Sequence, residues 1–301
     1  MKVSTAIVAL ISGLAYAVPT KRQESGPTDV DILQYALTLE HIEAAFYAQG
    51  LQNFTQADFA AAGYDSTFYN NLATVAKDEA DHVDFLTTAI SGVGSTPVQA
   101  CTYAFGVTDV KGFLATASLL EGVGVSAYLG VAADIMSKTY LTLAGSILTV
   151  EARHSSYLRA AQRPAQVPFA QPFDNPLEVR SVYTLASGFV VDCPKANNKP
   201  PFGPFPALKA ASIDGSAVTT GSILELTTPG ADVVAVGNAT VYAAFITATG
   251  PVSIAAQKAK TGYTVTVPQG VKGQSYLVLT GCADDASDDT IVAGPAVVEI
   301  A

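Results

Sequence analysis

The sequence predicts an α+β chain in two parts: a four-helix bundle with an extra helix over residues 29–192, then a small antiparallel β-sandwich over 207–301. Three observations predict it. Apolar residues recur at helical spacing through the first 190 residues. A proline-rich stretch, Cys193 to Pro206 (CPKANNKPPFGPFP), then interrupts the pattern. Beyond it the chain breaks into short β-branched and aromatic runs separated by Gly, Pro, Asn and Asp.

Each helix has its own signature. Asp29 to Gly50 places Ile32, Leu33, Leu37, Leu39, Ala44, Phe46 and Tyr47 at helical spacing, with Thr28 or Asp29 as N-cap and Gly50 as stop. A short helical turn follows at Gln56–Ala62. Long helices are then expected at Ser66–Ser91, Asp109–Ile135 and Ser137–Ala161, with a shorter one at Leu177–Val190. Residues 193–206 read as a linker. Runs such as Ser222–Leu226, Val241–Thr247, Tyr263–Val267, Tyr276–Thr280 and Ala296–Ile300 then predict about six or seven strands.

The N-terminus points to a compartment. Lys2, the apolar run Ala6–Leu14 and the small-x-small Ala15-Tyr16-Ala17 predict a secretory signal peptide over 1–17, too short to span a bilayer. Lys21-Arg22 predicts a second, dibasic cut near Gln23, which leaves residues 18–28 as propeptide or N-terminal tail. The sequons at Asn53 and Asn238 agree with a glycosylated protein outside the cell or in its wall. In that oxidising setting three cysteines allow one disulfide. Cys101 and Cys193, each in a loop-like stretch beside a helix, are expected to pair and to leave Cys282 free.

Charge narrows the partners. A net charge of −10 with no basic cluster argues against nucleic acid. Gly112 to Ala133 is apolar, but Glu121 sits near its middle, the costliest place for a carboxylate in lipid, so it reads as a buried bundle helix rather than a membrane span. The β-part has no histidine and one cysteine, which excludes a blue-copper site of the usual kind.

The chemistry lies in the helices. Of three histidines, two stand three residues after a glutamate, in Glu79-Ala80-Asp81-His82 and Glu151-Ala152-Arg153-His154. On a helix that spacing puts a carboxylate and an imidazole on one face. Each motif follows a helix with a glutamate in apolar company, Glu40 and Glu121, and each of these has a tyrosine seven residues later, Tyr47 and Tyr128. Glu40 and Glu79 lie roughly 15 and 18 Å from the first turn, and Glu121 and Glu151 roughly 24 and 21 Å from the second, at the helical rise. All four therefore share one level. His41 is expected to face outward or pack near the helix end. Glu43, on nearly the same face as Glu40, is the substitute ligand. The two tyrosines are expected to hold carboxylates rather than react.

A Glu from each of two helices plus Glu-x-x-His from the other two resembles the ferritin-like di-metal carboxylate superfamily over about Asp29 to Ala161. More closely, the chain resembles secreted fungal ferritin-like proteins of the stress-response or late-sexual-development type, related to plant desiccation-related proteins. That likeness extends to Cys193-Pro194 and to Ala293-Gly294-Pro295. It implies Glu40, Glu79, His82, Glu121, Glu151 and His154 as ligands of two Fe or two Mn ions, with Glu79 and Glu151 bridging. Oxygen-rich ligation with two histidines suits those metals better than structural zinc.

The function expected from these readings is a secreted non-haem di-metal protein that reacts with dioxygen or hydrogen peroxide in stress or development. Oxidase, peroxidase and catalase-like outcomes all fit the ligand set. The alternatives are metal sequestration without turnover and a structural protein associated with cell wall or spore. The β-part, the metal and the oligomeric state carry no further signal.

Overall fold

The structure is a computed structural model and describes residues 26–230 and 240–301. The expected signal peptide, the Lys21-Arg22 site and the Asn238 sequon lie outside the described residues.

The helical part comprises α1 (Asp29–Asn53), α2 (Gln56–Ala61), α3 (Ser66–Gly92), α4 (Val110–Val131), α5 (Lys138–Ala161) and α6 (Val179–Ser187). Their starts are written in side chains. Thr28 with Asp31 and Thr55 with Asp58 form capping boxes for α1 and α2. Asp65, Asp109 and Ser137 cap α3, α4 and α5. α1 packs chiefly on α3, and α4 on α5.

Gly50 does not stop α1; the helix continues to Asn53. The residue is buried, and a Cβ there would lie 2.0 Å from the Phe113 ring. Gly50 is therefore a close-packing position for the stacked Phe46 and Phe113 rings, whose centroids are 4.9 Å apart. The expected fifth helix is shorter than Leu177–Val190. Its first amides, of Arg180 and Ser181, donate to Asp288 at 2.7 and 3.2 Å, so its start is capped through space.

Residues 93–109, which join α3 to α4, are held to the bundle by polar contacts. Gln34 donates to Thr96 O at 2.8 Å and accepts from Val98 N at 2.8 Å. His41 Nε2 meets Val98 O at 3.1 Å, so His41 packs at this crossover and stands outside the carboxylate cluster. The short strands β1 (Thr102–Tyr103) and β2 (Val190–Asp192) pair antiparallel, and the Cys101–Cys193 disulfide closes the same region. Cys282 is the free cysteine among the described residues.

Residues 193–206 are irregular yet anchored. Asn197 bridges to Gln99, and Phe205 is buried under the Arg180 guanidinium. The β-part then forms two four-stranded antiparallel sheets. One runs β10 (Ile291–Ile300), β9 (Gly273–Thr280), β5 (Tyr242–Ile246), β6 (Val252–Ala255). The other runs β3 (Lys209–Ser212), β4 (Ile223–Thr227), β8 (Tyr263–Thr266), β7 (Gln257–Lys258). Leu224, Leu226 and Val265 of one sheet meet Phe245, Leu277 and Leu279 of the other in a single apolar core. Ala293 to Ala296, with Gly294-Pro295, marks a register shift in β10, the place where a strand tolerates proline.

The sandwich docks on α4. Tyr276 is 1% exposed; its hydroxyl donates to Gly122 O at 2.8 Å and accepts from Ser126 Oγ at 2.9 Å. Gln274 donates to Leu119 O at 3.2 Å. Arg159 of α5 makes a two-pronged ion pair with Glu299, at 2.8 and 2.6 Å. α4 is long and apolar enough to cross a membrane, but here it is enclosed by α1, α5, α6 and β9. Gly50→Ala, which on an open helix face would add about 1 kcal/mol, should instead destabilise by about 1–3 kcal/mol through overpacking against Phe113. Urea unfolding of the two proteins measures the sign.

Candidate metal centre

Four helices bring their carboxylates to one level. Glu40 on α1, Glu79 on α3, Glu121 on α4 and Glu151 on α5 are each 0% exposed. His82 and His154 lie one turn along from Glu79 and Glu151 and point Nδ1 inward. His82 Nδ1 is 3.1 Å from Glu40 Oε2, 3.2 Å from Glu79 Oε2 and 3.3 Å from Glu151 Oε1. His154 Nδ1 is 3.0 Å from Glu79 Oε1 and 3.3 Å from Glu121 Oε2. The ligand atoms form two groups within 4.8 Å: Glu40, Glu79, His82, Glu151, and Glu79, Glu121, Glu151, His154. Glu79 and Glu151 belong to both, the placement a bridging pair requires.

Two apolar clusters flank this polar layer, and each sends a tyrosine into it. Tyr47 belongs to the Phe46–Phe59–Phe113 cluster and donates to Glu121 Oε1. Tyr128 belongs to the Leu37–Leu86–Ile90 cluster and donates to Glu40 Oε1 at 2.5 Å. The bonds cross: each tyrosine holds the glutamate of the other helix.

Sequence reasoning missed Asp78. Its Oδ2 lies 3.3 Å from His154 Nε2, on the side of the ring away from the cluster. A carboxylate there orients an imidazole and raises its basicity. The neighbouring Glu79-x-x-His82 motif was the available signal, but it concerns a histidine on the same helix, and Asp78 serves one on α5. Glu43, expected as a substitute for Glu40, is buried beside the cluster without joining either group. Asn53 is exposed at the end of α1, and the Thr55 hydroxyl of its sequon is engaged with Asp58.

Burial dominates the electrostatics. It raises Glu43 and Glu151 well above the carboxylate range, each reinforced by neighbouring carboxylates, and raises Glu121 as well. It lifts Glu40 to about 7 despite the His82 contact. Glu79 is the exception: burial opposes its charge, but the His154 and His82 imidazoles hold it at about 2. The histidines respond in kind. Burial would lower them, yet Glu151, Glu40 and Glu79 push His82 to about 12, and Glu121 and Glu79 push His154 to about 10.

The cluster wants cations. Among the described residues, the ion pairs made by Lys or Arg are Lys77–Asp81 and Arg159–Glu299, and neither reaches it. Glu43 Oε2, Glu79 Oε1, Glu121 Oε2, both Glu151 oxygens and His154 Nδ1 are buried without a properly directed hydrogen bond. His154 Nδ1 is close to two carboxylates, but neither approach has hydrogen-bond geometry. Buried polar atoms left so cost about 1–3 kcal/mol each. An oxygen-and-imidazole donor set converging on common points fits a metal ion.

Comparison with known proteins agrees. Residues 28–164 match the family model of the ferritin-like domain. The chain is also similar to Protein rds1 of Schizosaccharomyces pombe, 28% identical over 184 residues, which is 61% of this chain and 44% of that protein. The match thus spans less than half the length of that fungal relative. The chain carries a helical ferritin-like domain followed by antiparallel β-sheets, with buried carboxylate and histidine groups able to bind metal.

Protonated imidazoles stand in for metal when none is bound, which sets a sign. His154 contributes stability below its unfolded value of 6.5 and loses it as pH rises through about 10. Glu40 contributes in the same direction, fully below 4.5 and lost through about 7. The metal-free protein should therefore weaken progressively from mildly acid pH through about pH 10 and on towards about 12, where His82 follows, and metal should flatten that decline. Thermal melts of the stripped and loaded protein across this range provide the check. Asp78→Asn should weaken metal affinity by roughly 10–100-fold, read by competition with a chelator.

Proposed function

We propose that this chain is a secreted, non-haem di-metal protein of Fe or Mn that reacts with dioxygen or hydrogen peroxide. The observation that carries the reading is the pair of overlapping ligand groups sharing Glu79 and Glu151, in a bundle whose other buried polar atoms are mostly satisfied. Glu40 and His82 would complete one position, Glu121 and His154 the other. Four ionised carboxylates and two neutral imidazoles balance two divalent ions. Two ferrous ions there would supply two electrons, enough with two protons to convert dioxygen to hydrogen peroxide or hydrogen peroxide to two waters.

The surrounding residues do the rest. Tyr47 and Tyr128 hold Glu121 and Glu40 by their outer oxygens and keep those carboxylates aimed inward. Asp78 orients the His154 ring. The apolar clusters around Tyr47 and Tyr128 exclude bulk water, which strengthens every charge interaction between them. Secretion is supported by the N-terminal apolar segment and the Cys101–Cys193 disulfide, a bond that persists in oxidising compartments. A role in stress or development follows the fungal resemblance.

Metal analysis of the secreted protein tests the reading. About two Fe or Mn per chain are expected, the stoichiometry of bridged two-metal sites. A Glu79→Ala, Glu151→Ala variant should lose both. Failure of the wild-type chain to take up Fe(II) or Mn(II) anaerobically would sink it.

A further inference from the structure

A cavity between α1, α4 and α6 ends at Glu43 and Gly124, beside the ligand groups. It holds about 320 Å³ of empty space, part of it open to solvent. Leu39 and Ile42 of α1, Leu120 and Val123 of α4, and Leu185 and Ala186 of α6 line it. Its rim is half-buried, at Leu119, Leu185 and Phe189, and its floor is fully buried, at Glu43 and Gly124. Glu43 is 3% exposed, and its Oε2 has no hydrogen-bond partner.

Gly124 brings the floor against the ligands. A Cβ at that position would lie 2.9 Å from Glu43 Oε1 and 3.2 Å from Glu151 Oε2. Gly124, a single residue without a side chain, therefore separates the cavity from a carboxylate shared between the two ligand groups. A second, larger cavity near Ile32, Leu143 and Ile147 reaches only Tyr128, whose hydroxyl is committed to Glu40.

We propose that the α1–α4–α6 cavity is the entry path by which dioxygen reaches the metal centre, passing Leu185 and Ala186 and arriving beside Gly124. The proposal rests on the di-metal reading above and selects among its oxidants. Dioxygen is small and apolar and gives up no hydrogen bonds in a wall of Leu, Ile, Val and Ala. Hydrogen peroxide would give up several and meets one polar group, at the far end.

Two measurements test it on the full secreted chain. Xenon, an apolar probe that enters dry cavities, should bind between α1, α4 and α6 in pressurised crystals and be displaced in Ala186→Phe. In stopped flow, anaerobically Fe(II)-loaded Ala186→Phe should be oxidised several-fold more slowly by dioxygen, with its rate toward hydrogen peroxide unchanged. Leu185→Ala, at the rim, should accelerate the dioxygen reaction, so the test survives if Ala186→Phe does not fold. Ala144→Phe, in the other cavity, should leave both rates alone. Uptake of Fe(II) with unaltered dioxygen rates, equal slowing by both oxidants, or slowing in Ala144→Phe instead overturns the path alone. Absence of Fe(II) uptake by the wild type overturns the di-metal reading together with the path.

Discussion

Five glutamates buried in the middle of a helical bundle set the terms for the rest of this molecule. Glu40, Glu43, Glu79, Glu121 and Glu151 are at most 3% exposed, and no lysine or arginine reaches them among the described residues. Dissolved in an apolar interior, that much negative charge is tolerable only if it is neutralised by protons, imidazolium or metal. Each flanking apolar cluster therefore has to close around a polar layer while satisfying part of it. Tyr47 and Tyr128 do both, with buried rings and hydroxyls directed at Glu121 and Glu40. Helix depth follows from the same need, because a slip of one turn would strand a carboxylate among leucines.

α4 shows how tightly the two parts of the chain are joined. It carries Gly122 and Gly124 within its central turns, where each glycine costs about 1 kcal/mol of helix propensity. Both are used for approach. Gly122 accepts the Gln274 side chain and the Tyr276 hydroxyl of the sandwich, and Gly124 accepts Glu43 and Glu151. β9 is buried along nearly its whole length for the complementary reason: one face meets the opposite sheet, the other meets α4 and Phe205. The sandwich is thus seated within one helical turn of the carboxylate layer.

Much of this was legible in the sequence, because the bundle repeats and helical spacing is a local code. Glu-x-x-His on α3 and α5, glutamates on α1 and α4 and the approximate starts of the long helices are all read from local spacing. What escaped is made through space. Asp78 serves a histidine 76 positions away, and Asp288 caps α6 from the sandwich. Gly50 read as a helix stop because its packing partner, Phe113, lies on another helix. β3, β6 and β7 went unrecognised because Lys209-Ala-Ala-Ser, Val252-Ser-Ile-Ala and Gln257-Lys258 are too short or too polar to show alternation, and pairing with longer strands is what forms them.

The repeat itself explains where the site departs from symmetry. Advancing three residues from Glu40 gives Glu43, and three from Glu121 gives Gly124. These equivalent positions face each other, and a Cβ at one would lie 2.9 Å from the carboxylate of the other. A glutamate at both would place two further carboxylates in a space that holds one, and a glycine at both would leave the cavity floor without a polar group. Asp78 breaks the repeat in the same way, since its counterpart before Glu151 is Val150. His154 consequently has an orienting carboxylate on its outer nitrogen, and Glu43 stands on the opposite helix pair. The two ligand groups share Glu79 and Glu151 but not their surroundings, and the chain's own residues make that difference.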